Sequence, residues 1–289
     1  MKNDFTVFIL TYKRPNKVIT YKSLREAGYT GEIILVCSTD DETLEEYKKN
    51  YKDIEIFDKK DYRGKFDMGD NFKEEGTVVF ARNAVYDIAK RLNKTYFLVL
   101  DDDYDLFNFR FDNNYNYVTK KIKKNFDEIL DLVVDYYKSI PALSIAFAQT
   151  GEYIGGKKGG LGKQLCIKRK IMNSFFSSVD RKFEYMGRMN DDVNTYVRLG
   201  NTGKLVFQIN QICIQQKLTQ KNSGGLTDMY LDLGTYIKSF YTIMFAPSCT
   251  KINLMGNKNK RLHHIISWNN ACPKIIREKY KLTKTDKNG

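Results

Sequence analysis

Along its first hundred residues the chain sorts its apolar and polar positions into blocks. Phe5–Leu10, Glu32–Cys37, Ile54–Phe57 and Tyr96–Leu100 are short runs rich in branched and aromatic residues. That is the pattern of strands buried on both faces. Between them, apolar residues recur every three or four positions, which predicts helices over Lys17–Ala27, Glu42–Asn50 and Val78–Leu92. Pro15 suits the start of the first helix, and Ser38-Thr39-Asp40-Asp41 is a capping signature before the second. Strands alternating with helices predict an α/β fold with a largely parallel sheet. Further on, the pattern predicts a helix over Tyr117–Tyr137, a strand over Ala142–Ala148, a helix over Val193–Leu199, a strand over Leu205–Ile214 and a helix over Leu226–Met244. Asp58–Glu75 and the basic Pro247–Lys274 read as irregular, and the tail after Tyr280 as frayed.

The most informative break in this pattern is at the end of the fourth run. The apolar stretch Tyr96–Leu100 stops at Asp101, Asp102 and Asp103. Three carboxylates at the tip of a buried strand repel one another and resist desolvation, and a bound cation relieves both. In open α/β sheets ligands lie beyond the carboxyl ends of strands. The triplet therefore points to magnesium or manganese holding an anionic substrate such as a diphosphate. A solvated, Asp-rich loop is the bland alternative. If strand geometry continued, Asp101 and Asp103 would face opposite sides.

Four further groups carry candidate chemistry. Asp191 and Asp192 precede a helix, where capping accounts for one of them. The other, aimed into a cleft, is placed to take a proton from an attacking hydroxyl. His263 and His264 are the chain's only histidines; one is a candidate metal ligand, and both are equally a packed pair in a basic region. Arg82 in Ala81-Arg82-Asn83 faces either a phosphate or solvent. Gly151–Lys163 reads GEYIGGKKGGLGK, which lacks the Gly-Lys-Ser/Thr of a P-loop and reads better as a loop over a substrate.

Charge and composition narrow the class. The 289 residues carry 20 Tyr and 18 Phe, enough for a substantial core. Net charge is +13, and residues 201–289 hold 14 Lys+Arg against 4 Asp+Glu. A basic surface suits a polyanion such as DNA or RNA, though solubility alone accounts for it equally well. Five scattered cysteines without a CxxC pair argue against a disulfide framework or zinc knuckle. No apolar run is long enough to span a membrane, and the first residues lack a signal-peptide pattern, so the expected location is the cytoplasm.

In order, these pieces resemble a GT-A glycosyltransferase: an acidic metal motif, a glycine-rich stretch at Gly155–Gly160, an acid pair at Asp191–Asp192 and a late histidine. The strings ILTYKRPNK, ARNAVYDIA, LDDDY, MNDDVNTY, TQKNSGGLTDMY, GTYIKSFY and HHIISWNNACPKI are similar to the phage TET-associated DNA glycosyltransferases. The resemblance implies a Rossmann-like, mostly parallel central sheet flanked by helices. It also implies a catalytic core over residues 1–215, completed by a basic C-terminal segment over 216–289. By the same resemblance Asp103 and Asp101, with His264 or His263, would hold Mn2+ or Mg2+. Thr11, Tyr12, Arg14, Asp40, Arg82, Asp101 and Asp102 would hold a nucleoside diphosphate sugar, usually a uridine one. Asp192, with Asp191 beside it, would be the catalytic base of an inverting transfer. Asp191 stands where the general family pair has Glu. The implied acceptor is the hydroxyl of a 5-hydroxymethylpyrimidine in DNA, bound by Lys251, Lys258, Lys260 and Arg261, in the host cytoplasm if the protein is phage-encoded. No membrane and no obligate protein partner is expected. A polysaccharide or protein acceptor, a metal-dependent nuclease or nucleotidyltransferase, and a non-catalytic DNA-binding protein remain alternatives.

Overall fold

The computed structural model describes residues 3–73, 75–163, 168–216, 236–255 and 260–272, together with Tyr230 and Gly234. Four parallel strands make one half of the central sheet: β1 (Phe5–Leu10), β2 (Ile33–Ser38), β3 (Ile54–Phe57) and β4 (Tyr96–Asp101), in the order β3-β2-β1-β4. Every residue of β1 and β2 is buried. The two-residue period of a strand divides β1 between two cores. Val7 and Ile9 pack with Leu24 and Ala27 of helix α1 (Ile19–Ala27) and with Tyr47 of α2 (Leu44–Asn50). Phe8 and Leu10 pack on the opposite face, against Val79, Ala84 and Ile88 of α3 (Val79–Arg91). Removing one fully buried side chain here, as in Leu24→Ala, costs about 2–5 kcal/mol.

The sheet continues through β8 (Ser174–Ser178), β7 (Ser144–Gln149), β9 (Val206–Gln216), β5 (Tyr104–Phe111) and β6 (Tyr117–Lys121), giving the order β3-β2-β1-β4-β8-β7-β9-β5-β6. Only β8 and β5 run against the other strands, so the expected mostly parallel sheet is present. Helix α4 (Phe126–Ser139) adds Phe126, Leu130 and Val134 to the α1 side.

One corner of the sheet shapes the acid cluster. Asp102 and Asp103 alone join β4 to β5, although three strands lie between those two in the sheet order. A link from residue 101 to 104 reaches at most about 11 Å, whereas four strand spacings amount to about 19 Å. The sheet therefore coils until the ends of β4 and β5 meet at the acids. Tyr104 Oη donates to the Asn173 carbonyl just before β8 and so helps close this corner.

Several expectations are corrected. The predicted helix Tyr117–Tyr137 is strand β6 followed by α4, because Tyr-Val-Thr at its start suits a strand. Asp58–Glu75 contains a 3-10 turn at Lys59–Tyr62. Within Pro247–Lys274, β10 (Thr250–Met255) and β11 (Arg261–Ile266) form an antiparallel hairpin in place of irregular chain. Strands β5 and β8 lie outside the predicted pattern. The glycine-rich stretch is wound into 3-10 turns at Thr150–Tyr153 and Gly156–Lys158 and a short helix, α5 (Gly160–Lys163). Tyr153 and Leu161 anchor it against Phe111 and Cys213.

The remaining helices are α6 (Asp191–Asn201), α7 (Ile237–Phe245) and α8 (Trp268–Ala271). Trp268 stacks on Tyr196 at 5.8 Å between ring centroids, which is a packing role. Cys37, Cys213, Cys249 and Cys272 are free thiols. Among the described residues no helix is long and apolar enough to cross a membrane.

Candidate active site

The carboxyl ends of β1, β2 and β4 open onto a cleft of ≈ 220 Å³. Thr11, Tyr12, Arg14, Asp101, Asp102 and Asp103 all line it. The two-face geometry anticipated for the acids does not arise, because β4 ends at Asp101 and the chain turns. Thr20 fastens that turn. Its hydroxyl donates to the Asp101 carbonyl at 2.7 Å and accepts the Tyr104 N–H at 2.9 Å, while its own N–H reaches the Asp102 carbonyl at 3.1 Å.

The three carboxyl groups meet different surroundings. Asp102 is buried, with Arg14 Nη1 at 3.1 Å from one oxygen and Thr11 Oγ1 at 2.8 Å from the other. Burial raises its pKa, and the Arg14 charge opposes the rise. Asp103 is also buried, but its protein donor is the neutral amide of Gln216, 3.0 Å from both oxygens. Burial, then the charge of Asp101, pushes its pKa up to about 7. Asp101 is partly exposed, with Arg82 Nη2 at 3.3 Å.

A second group forms the wall beside β1 and β2. The Tyr47 hydroxyl meets Thr11 Oγ1 at 2.7 Å and accepts the Arg14 N–H at 2.8 Å, which fixes the first turn. The Asp41 carboxylate accepts the Lys13 N–H at 2.7 Å and caps the chain at Thr43. Asp40 accepts from Tyr12 Oη at 3.2 Å and from Lys59 Nζ at 2.9 Å. Lys59 is buried along its stem and sits 4.4 Å from the centroid of the Tyr12 ring.

Arg82 joins this cleft to the second acid pair. Its Nη1 lies 2.6 Å from Asp191 Oδ2, and its Nη2 reaches Asp101. The guanidinium is buried and stacked 4.8 Å from the Phe175 ring. Burial alone would lower its pKa, but Asp191, Asp101 and Asp192 outweigh burial and hold it charged. An uncompensated charge at such depth would be costly, so these groups stand or fall together. Asp191 and Asp192 open α6. Burial raises both carboxyl groups, with Arg82 opposing. Asp192 Oδ1 accepts the Val193 N–H at 2.8 Å, its one hydrogen bond among the described residues.

The residue before the pair organises its far side. Asn190 is left-handed, and its amide donates to the Lys238 carbonyl at 2.8 Å and lies 3.3 Å from His264 Nδ1. Burial, then His263 and nearby lysines, pulls the His264 pKa down to about 4, so the ring is neutral at neutral pH. Arg188 donates through Nε to both oxygens of Asp70 at 2.9 Å, and Tyr241 of α7 donates to the same carboxylate. Gly187 sits at φ +89°, and a Cβ there would lie 2.2 Å from Asn194 Nδ2 and 2.9 Å from Phe245. Only glycine fits between α6 and α7 at that point.

The structure thus gathers Thr11, Tyr12, Arg14, Asp40, Arg82 and Asp101–Asp103 around the cleft and links Asp191 to it through Arg82. It does not bring His263 or His264 to the triplet. Among the described residues no three His, Cys, Asp or Glu side chains converge as a metal cage. Asp101 and Asp103 still fit a magnesium-like ion. They are oxygen donors lining one cleft, and such ions take one or two carboxylates and complete their shell with water and phosphate oxygens. No residue of the glycine-rich stretch lines the cleft, and Lys258 is outside the described residues. Sequence reading missed Tyr47, Lys59, Gln216 and Thr20. Gln216 reaches Asp103 across 113 positions, and no local pattern signals such a contact.

The family model for TET-Associated Glycosyltransferase matches residues 5–225. No curated protein matches the sequence. Solved structures similar to the chain include glucosyl-3-phosphoglycerate synthase from Mycobacterium tuberculosis, crystallised with Mn2+, uridine diphosphate and phosphoglyceric acid. It is 10% identical, with 91% of this chain and 86% of that one covered and a TM-score of 0.43. S. aureus TarS is 12% identical over 84% of this chain and 40% of its own, with a TM-score of 0.42. GalNAc-T7, solved with UDP, GalNAc and Mn2+, is 11% identical over 78% of this chain and 47% of its own, with a TM-score of 0.39. The chain belongs to the TET-associated glycosyltransferase family and is a glycosyltransferase built on a mostly parallel α/β sheet.

Proposed function

We propose that the protein moves a sugar from a nucleoside diphosphate sugar, the uridine form being the expected donor, to the hydroxyl of a 5-hydroxymethylpyrimidine in DNA. The observation that carries this reading is Arg82, which ties the acid-lined cleft and the second acid pair into one site. The cleft accepts the nucleotide between Thr11, Tyr12, Arg14 and Lys59, with Asp102 and Asp40 holding the cations in place. Asp101 and Asp103 would hold Mn2+ or Mg2+, which when bound neutralises charge on the departing diphosphate.

Asp192 is the base. Asp191 is committed to Arg82, whereas one oxygen of Asp192 has no hydrogen-bond partner among the described residues. Burial makes the Asp192 carboxylate more basic, which suits it to accept a hydroxyl proton. The acceptor oxygen then attacks the anomeric carbon from the face opposite the diphosphate, so the product is inverted. The DNA acceptor rests on the family and on the basic surface carrying Lys251, Lys260 and Arg261. Incubation with hydroxymethylated DNA and a panel of sugar nucleotides, read by the masses of the bases, tests the whole reading. A mass gain equal to one sugar residue is expected. Transfer to a polysaccharide with none to DNA would replace the acceptor, and cleavage of the DNA would replace the chemistry.

A further inference from the structure

Helix α7 reads IKSFYTIMF. Its polar Ser239 and Thr242 are turned inward, and large apolar side chains are left outside. Its inner face, with Ser239, Tyr241 and Thr242, is buried and tied to Asn190 and Asp70. Its outer face carries Tyr236, Phe240 and Met244 at four-residue spacing, exposed by 50%, 41% and 54%. The rings of Tyr236 and Phe240 meet edge to face at 6.5 Å. A stripe of three large apolar side chains is more than the scattered exposure any surface shows.

The surroundings say what would cover it. Between Asp232 and Glu278 the chain has no acidic residue, while it carries seven Lys and Arg. Among the described residues none of Lys238, Lys251, Lys260 and Arg261 is paired with a carboxylate. The β10–β11 hairpin packed beside α7 carries Lys251, Lys260 and Arg261, whereas Met244 at the far end of the stripe lies beside Asp67 and Asp70. The aromatic pair Tyr236 and Phe240 near the cations complements a ligand with flat apolar faces and regularly spaced anions. Nucleic-acid bases and phosphates have that combination, and every base offers a face for stacking.

We propose that the outer face of α7 is the base-contacting surface of the acceptor site. The proposal rests on DNA being the acceptor and adds how the target is reached. Tyr236 and Phe240 stack on bases beside the target, the hairpin cations hold the flanking phosphates, and Asp67 and Asp70 beside Met244 mark the end of the contact. The target base leaves the duplex stack and turns toward Asp192. The hydrogen bond from Asn190, the residue before the acid pair, to the Lys238 carbonyl on α7 fixes the aromatic pair relative to the base.

The test uses the full chain and a short duplex containing 5-hydroxymethylcytosine beside 2-aminopurine, without donor. Tyr236→Ala/Phe240→Ala and Met244→Ala are compared with wild type by fluorescence anisotropy over a salt range, by 2-aminopurine emission, by thermal melting and by sedimentation. The double variant is expected to bind about tenfold or more weakly and to lose the rise in emission that reports unstacking. Salt dependence, melting temperature and sedimentation stay unchanged. Equal affinity and emission in wild type and variant would overturn the proposal while leaving DNA as acceptor. A wild-type protein that binds no DNA would remove both, and the acceptor reading first. A fall in melting temperature, or a dimer becoming a monomer, with DNA binding intact would assign the stripe to the protein itself or to a second copy, and would also overturn it.

Discussion

The two sides of the site handle charge in opposite ways. On the cleft side the cations have anions: Arg14 with Asp102, Lys59 with Asp40, and Arg82 with Asp101 and Asp191. On the side of α7 and the β10–β11 hairpin, the exposed Lys251, Lys260 and Arg261 form no ion pair among the described residues, while half-buried Lys238 feels the charge of Asp192. Paired, buried groups hold one geometry before any ligand arrives, which suits a donor of fixed shape. Uncommitted surface cations exert a field without a fixed geometry, which suits a long polyanion that must be positioned along its length.

Substitutions separate the two sides, and the largest effects belong to the acids. Asp192→Asn should lower kcat by about 10²–10⁴, and Asp103→Ala should reduce transfer by about 10²–10³, with far-UV circular dichroism unchanged in both. Residual activity near wild type in either variant would break the assignment of roles. Arg82→Ala leaves Asp101 and Asp191 without their shared partner, and a loss of about 3–5 kcal/mol in stability is expected by denaturant titration. A smaller loss than in an exposed control such as Arg63→Ala would mean that Arg82 is not the link between the two halves.

Lys59→Ala should raise the donor KM about tenfold and leave the acceptor KM alone; the reverse pattern would dissolve the division between the two sides. Acid sensitivity sharpens the comparison further. Burial pushes Asp70 up, but hydrogen bonds from Arg188 and Tyr241 outweigh it and hold the carboxyl below its ordinary range. Such a group stabilises the fold above its unfolded pKa, and that contribution is lost as pH falls through the folded value. Melting curves of wild type should therefore fall more steeply than those of Asp70→Asn below about pH 4. The smallest effect is expected at the basic face: Lys251→Ala should lower the slope of log affinity against log salt by about one, without changing the donor KM.

Legibility in the sequence divides along the same boundary. Strands β1–β4 and their helices announce themselves, because residues buried on both faces leave uninterrupted apolar runs such as Phe5–Leu10. The acids at the tip of β4 are legible for the same reason. Strand β5 is less so, since polar Asp105, Asn108 and Arg110 interrupt it and its partners lie far along the chain. The hairpin is hidden by its own basic, half-exposed composition. At the site, residue types that crowd together in sequence can be found, and those brought in by tertiary folding cannot. Lys59 looks like any charged residue of a polar loop, and only the packing of Tyr12 and Asp40 gives it a role.

The absence of a side chain at Gly187 has a mechanical consequence. Any larger residue there would wedge Asn194 away from Phe245. With glycine in place, Asn194 of α6 and Phe245 of α7 both approach residue 187 closely, and the Asn190 amide joins the two helices. If a ligand pressed on the outer side of α7, the hydrogen bonds from Asn190 would link that helix directly to the residue before the carboxylates of α6. Contact with a long ligand and alignment of the reacting groups would be one movement of one lever.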